Sequence, residues 1–320
     1  LIASLIAMAI STALLGLTEA VAALVVFRVI FGVGTIGLRL SRQTYVSNAV
    51  LPTERGMAMS FIGGSFRLAL LVGPVFGGYL VDQIGFTATF VFCGAVNGIG
   101  LLGAAPSNRA SGDGRDLSKP PQVGLWAALW FHRALLFRGG LVPALVVAVR
   151  NGRYVVIALI AVELGVSPSA TGALVAVGTA ADLMLFPLSG YLMDRYGRLY
   201  AILPSLSLIA AGLLVLSAAS SALMVGVACL VMGIGNGLGA GSMLTLSTDL
   251  APPEAKGQVL AGLAVFQDFG TFLGPLIVGI TADAIGLEMS AVVLAVMTVV
   301  AIAWLLGMVG ETRDTQSLRR

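Results

Sequence analysis

Long apolar runs, cut by short clusters of glycine, proline, serine and aspartate, dominate the pattern of this chain. Crossing a bilayer takes about 20 mainly apolar residues. On that basis the runs predict ten membrane-spanning helices, near 1–17, 21–44, 57–81, 86–105, 139–162, 170–192, 199–217, 222–247, 257–282 and 288–309. The interval from Leu199 to Thr248 carries no charge over 50 residues, too long for one crossing, and Ser217-Ala-Ala-Ser-Ser221 supplies the break. The longest polar stretch, 106–138, begins as a Ser/Gly/Arg-rich linker. It ends on Trp126, Trp130, Phe131, His132 and Arg133, which predicts a helix lying among lipid headgroups. The N-terminus has neither Met nor a basic leader, which argues against a signal peptide.

Basic residues orient these spans. Alternate loops hold fourteen Lys and Arg, from Arg39 to Arg320, while the opposite loops hold Glu19, Asp82, Glu163, Asp283 and Glu288 and no basic residue. The positive-inside rule then places the C-terminus in the cytoplasm. Composition sharpens the class. Only 10% of the 320 residues are charged and 58% are hydrophobic, with a mean hydropathy of +1.00. Soluble domains carry about 25% charged residues, so a soluble enzyme, a nucleic-acid binder and a disordered scaffold are excluded. The net charge of +3 reflects the topology and implies no nucleic-acid partner. Cys93 and Cys229 lie in apolar runs and suggest neither a disulfide framework nor a metal cluster, and one histidine leaves little room for zinc or His-based catalysis. No G-x4-GK[ST] loop for ATP is present. The chain is not expected to be an enzyme.

Shifted by 201 positions, the sequence matches itself without a gap. Gly32-Val-Gly34 meets Gly233-Ile-Gly235, Arg55-Gly56 meets Lys256-Gly257, Gly73-Pro74 meets Gly274-Pro275, and Ile84-Gly85 meets Ile285-Gly286. Both copies run the same way through the membrane, a parallel repeat. Residues 139–201 pair with positions ahead of residue 1, so the first half shows four spans and the second six, and two N-terminal helices are expected to be missing.

Three motifs give the chain a family likeness. Gly190-Tyr-Leu-Met-Asp194-Arg195-Tyr-Gly197-Arg198 resembles the G-x-L-x-D-R-x-G-R loop of the major facilitator superfamily. Arg28-x3-Gly32-x-Gly34 resembles that superfamily's helix 4 motif, whose arginine is implicated in proton coupling, and Gly73-Pro74-Val-Phe-Gly77-Gly78 is similar to the helix 5 motif of drug/proton antiporters, with Ala69 where that motif has glycine. The resemblance implies an all-α integral membrane protein of two pseudo-symmetric bundles, with ten of twelve helices present. Residues 1–105 would form the N-terminal bundle (helices 3–6), 106–138 a cytoplasmic linker with an interfacial helix, 139–310 the C-terminal bundle (helices 7–12), and 311–320 a cytoplasmic tail. Physically, Asp194 is expected to accept from backbone amides opening the next helix, and Arg195 and Arg198 to anchor to headgroups. The glycines are expected to let helices approach closely.

Ionisable groups inside a membrane are functional candidates by default. Away from the rims these are Arg28, Arg67, Arg150, Arg153, Asp182 and Asp268. Arg67, Arg150, Asp182 and Asp268 each lie twelve residues from a charged rim position, or ~18 Å along a helix, near the bilayer centre. Arg67 and Asp268 are equivalent under the repeat, and the packing of helices 5 and 8 in the superfamily suggests an Arg67–Asp182 pair. Arg150 and Arg153 share a helical face. Three roles stay open for them: recognising an anion, pairing with acids of the missing helices, or reaching toward the cytoplasm.

The expected function is secondary active transport of a small molecule by alternating access, as proton-coupled efflux, in a monomeric multi-pass protein of the cell membrane. Its partners would be the bilayer, the substrate and protons; a proton gradient would supply the energy, with no cofactor or metal. The alternatives are proton-coupled transport of a small organic anion and a non-transporting truncated remnant.

Overall fold

The structure, a computed structural model, describes residues 2–49, 55–104 and 129–312, and the side chains of 2–42, 64–101 and 129–312. Most of the predicted linker, Trp126 included, and the tail from Arg313 lie outside these residues. Every regular element described is helical: α1 (Ile2–Leu15), α2 (Val21–Ala49), α3 (Arg55–Ala104), α4 (Arg133–Glu163), α5 (Pro168–Arg195), α6 (Arg198–Ser217), α7 (Ala222–Leu238), α8 (Ser242–Leu250), α9 (Lys256–Ile285) and α10 (Leu287–Trp304), the last running into a π-turn at Leu305–Val309. Among the described residues eight helical segments are long and apolar enough to cross a membrane, and α1 is a shorter apolar helix. One of the eight contains two predicted spans, because α3 breaks at Gly85, where φ is 77° and ψ 171°.

Contacts divide the chain into two compact units, Leu1–Pro120 and Pro121–Arg320, a division inside the stretch assigned to the linker. In the first unit α1 packs against both α2 and α3. In the second, α4 lies against α9 and α10, α7 lies against α5 and α6, and α6 also meets α10. The core of this unit sits where α4, α6, α7 and α10 meet, at fully buried Val156, Leu213, Val225, Ala228 and Leu294. Large apolar side chains such as Val162, Met184, Leu223 and Val265 face outward. That is the pattern of a lipid-facing surface, where packing of small residues rather than hydrophobic burial holds helices together. Local signals set the ends. The Ser167 side chain accepts from the Ala170 amide at 3.3 Å ahead of Pro168, and Ser221 accepts from the Met224 amide at 3.4 Å, closing the serine-rich break before α7.

The sequence repeat reappears in the backbone. Shifting the bounds of α2 by 201 gives 222 and 250, the start of α7 and the end of α8. The same shift carries the start of α3 to that of α9, and the positive-φ break at Gly85 to Gly286, where φ is 100°. One helix crossing is reproduced as well. A Cβ on Gly34 would meet the Ser4 carbonyl oxygen at 3.0 Å, and one on Gly235 would meet the Ser205 carbonyl oxygen at 2.7 Å.

Other glycines break the symmetry. Gly233 presses on the Gly178 backbone of α5, and Gly274 on Ala148 and Gly152 of α4, whereas their counterparts Gly32 and Gly73 have nothing within 4 Å of an added Cβ. The helices that cover Gly233 and Gly274, α5 and α4, belong to the second unit. Gly77 is equally open, whereas Gly235 and Gly237 of the 235–241 series press on the backbones of α6 and α5.

One predicted span is not a single helix. The 222–247 run divides into α7 and α8 at Gly239–Gly241, with Gly241 at φ 78°. An apolar stretch without charge hides such a break, and only the glycine cluster hints at it.

Candidate functional site

Small residues bring α4, α5 and α7 together in the second unit. Gly270 and Gly274 of α9 press on the carbonyl oxygens of Ala144 and Ala148 and so seat α4. Gly178, Gly233 and Gly237 let α5 and α7 approach at backbone distance; a Cβ on Gly237 would meet the Asp182 carbonyl oxygen at 2.7 Å. Three polar side chains of the candidate set thereby reach one segment, residues 232–239, at the C-terminal end of α7 and its cap. Asn236 donates from Nδ2 to Asp182 Oδ2 at 2.7 Å. Arg150 donates from Nη2 to the Gly239 carbonyl at 3.4 Å. Arg153 donates from Nη1 to the Met232 carbonyl at 3.4 Å and from Nη2 to the Tyr154 hydroxyl at 3.1 Å, with its guanidinium carbon 4.9 Å from the Tyr154 ring centre. The Gly239 carbonyl is within reach because α7 ends at Leu238; the same oxygen accepts from Ser242 Oγ at 2.6 Å.

Asp182 stands near the middle of the 28-residue α5 and Arg150 just past the middle of the 31-residue α4. Arg153 is only 6% exposed, so it does not reach out to the cytoplasm; its head stays inside the helical unit. Asp268 is exposed on α9. In the first unit Arg28 is exposed on α2, 5.9 Å from the Phe31 ring centre, Arg67 is half-buried on α3, and Pro74 and Gly78 are half-buried with exposed Gly73 and half-buried Gly77.

The loop motif forms a second cluster at the other end of α5. Gly197 takes φ 124° and is buried. A Cβ there would lie 2.6 Å from Glu311 Oε2, so both the backbone and the space require glycine. Glu311 accepts from the amides of Arg198 at 2.9 Å and Leu199 at 3.0 Å, capping α6 with a negative charge. The predicted acceptor is Asp194, but its side chain is 84% exposed and, among the described residues, meets only the Arg198 side chain, at 3.4 Å. Arg198 likewise departs from the headgroup role. Its side chain is 13% exposed, and Nε donates to Asp249 Oδ2 at 2.9 Å, while Nη1 donates to the Met193 carbonyl at 3.0 Å. Asp249 also accepts from the Thr312 hydroxyl at 3.1 Å. Arg195 turns outward over Tyr191 and Tyr196, and Gly190 is half-buried with nothing against it.

Sequence reasoning missed Asn236, Asp249 and the capping role of Glu311. Asn236 is a lone amide in a charge-free glycine-rich run, and Asp249 an acid on an otherwise basic side. Both were visible as anomalies.

Three comparisons with known proteins bear on this arrangement. The chain matches the Major Facilitator Superfamily over residues 1–156 and again over 140–319. It belongs to that superfamily. An uncharacterised transporter of the same type from Methanocaldococcus jannaschii is 21% identical over 284 residues, 87% of this chain and 72% of that protein. The multidrug export protein EmrB of Haemophilus influenzae is 33% identical over 75 residues, 23% of this chain and 15% of that protein. Among solved structures, a bacterial homologue of the human lysosomal transporter Spinster, inward-facing and unoccupied, superposes with a TM-score of 0.75 at 19% identity, covering 95% of this chain and 81% of that one. Its occupied form gives 0.70 at 17% identity over the same shares. The fold is that of a membrane transporter of this superfamily, which points to transport of a small molecule across a bilayer rather than to catalysis.

Proposed function

We propose that the chain exports a small molecule across the cell membrane by proton-coupled alternating access, with its C-terminus in the cytoplasm, and that Asp182 is the group that takes up and releases the proton. The observation that carries this is the Asp182–Asn236 pair at mid-depth in the helical unit. Asn236 offers an amide hydrogen to the carboxylate, and its own Oδ1 has no partner among the described residues. Turning the amide over presents that oxygen to a protonated Asp182 O–H. One hydrogen bond can therefore serve both protonation states. That suits a carboxyl which must load and unload a proton inside a membrane, where leaving either form unsatisfied is costly. The short match to a multidrug export protein supports the outward direction.

The test is Asp182→Asn, which keeps the size and the hydrogen bond and removes the titration. In reconstituted vesicles the variant is expected to keep substrate exchange in the absence of a pH gradient and to lose accumulation driven by one. Accumulation equal to the wild type would refute the role of Asp182.

A further inference from the structure

Between α4, α5 and α7 lies a small cavity lined by Arg153, Tyr154, Thr179, Cys229, Met232 and Gly233, with free volume of about 10 Å³, the room one water-sized species needs. Its most polar wall is Arg153, a permanent cation that is 6% exposed. Two of its nitrogens donate, one to a carbonyl and one to a hydroxyl, and both acceptors are neutral. Its Nε hydrogen has no acceptor, and among the described residues no carboxylate lies within ion-pair distance of it. A buried charge without a counter-charge is costly to fold around.

The other polar hydrogens point the same way. Tyr154 accepts from Arg153, and its own O–H finds no acceptor among the described residues; nor does the thiol of buried Cys229. Tyr154 is itself 36% exposed, so the one buried donor left unsatisfied at the cavity is Arg153 Nε, next to a full positive charge and with the Tyr154 hydroxyl and the Cys229 thiol beside it. A water molecule can accept from such a set but cannot neutralise it.

We propose that this cavity is a monovalent-anion site, in which a halide or one end of a small carboxylate accepts from Arg153 Nε and the Tyr154 hydroxyl and neutralises the buried guanidinium. The site is independent of the proton role given to Asp182 and of the direction of transport. The occupant is either an inorganic ion held as a structural counter-charge or the carboxylate of a transported molecule, and these share the same recognition chemistry.

The experiment uses the purified full chain in detergent and sodium salts at constant ionic strength, exchanging isethionate, a bulky sulfonate, for chloride. The melting midpoint of the wild type is expected to rise with the logarithm of chloride above its Kd, as a ligand of the native state requires. Arg153→Met carries no charge to neutralise, so its midpoint is expected not to depend on chloride and, in isethionate, to equal or exceed that of the wild type. Arg133→Gln, at an exposed arginine on the opposite end of α4, is expected to keep the wild-type response. Line broadening of chloride-35 by the wild-type protein gives a second readout that needs no variant to fold. Adding acetate separates the sources. Loss of the broadening at acetate levels below those of chloride assigns the site to a carboxylate, and persistence assigns it to a halide. A wild-type midpoint indifferent to chloride and acetate alike, or an Arg153→Met protein with the full chloride response, would overturn the proposal.

Discussion

Two glycines of α9 give a matched test of how the arginine-bearing helix is held. A Cβ at Gly274 would collide with the Ala148 carbonyl oxygen and lie 2.9 Å from the Gly152 amide nitrogen, both backbone atoms of α4. At Gly279, on the same helix, nothing lies within 4 Å. Replacing either glycine by alanine gains about 1 kcal/mol of helix propensity, so comparing Gly274→Ala with Gly279→Ala isolates the collision. Overpacking of this kind costs ~1–3 kcal/mol. Here the obstacle is backbone on both sides, which cannot rotate away, and the expected difference is in the upper half of that range. α4 must withdraw from α9, and Arg150 and Arg153 move with it relative to the carbonyls of Gly239 and Met232. The assay is equilibrium unfolding in detergent together with vesicle transport for each variant. Gly279→Ala is expected to match or exceed the wild type in both, and Gly274→Ala to fall short in both. Equal stability of the two variants would refute the claim that α4 and α9 pack through Gly274.

Three further outcomes follow from the cluster around Gly197 and Arg198. Asp249→Leu leaves the 13%-exposed Arg198 side chain without its closest carboxylate and is expected to cost ~3–5 kcal/mol, whereas Arg198→Leu combined with Asp249→Leu recovers most of that in the same unfolding assay. Glu311→Ala removes the acceptor of two α6 amides and is expected to cost ~0.5–2 kcal/mol, with Glu311→Gln between it and the wild type. Gly197→Ala meets both the φ of 124° and the Glu311 carboxylate, so its loss is expected to shrink when combined with Glu311→Ala but not to vanish.

What the sequence reveals and what it hides follow from the range of the forces involved. Helix ends and the repeat are local: glycine at 85 and 286 can take positive φ at both equivalent breaks, and serines at 167 and 221 announce the helices they cap. Depth is local too, since counting residues from a charged rim puts Arg150 and Asp182 near mid-helix. Partners are not local. Whether Asp194 or Glu311 caps α6 depends on where the chain lies after α10, more than a hundred residues later. The turn of Arg198 toward Asp249 depends on the rotation of α6 about its axis. Asn236 reaches Asp182 only because glycines bring α5 and α7 to backbone contact, a property of two sequences read together rather than of either alone.

Proton movement coupled to substrate tests the central claim most directly. Inside-out vesicles containing the chain are acidified within, and a pH-quenched dye reports protons leaving the lumen when a substrate candidate is added outside, first lipophilic cations, then small carboxylates. The account predicts that a transported substrate releases protons from the wild-type vesicles and releases none from Asp182→Asn vesicles that still exchange it. Transport of that substrate by the wild type with no accompanying proton flux would contradict it.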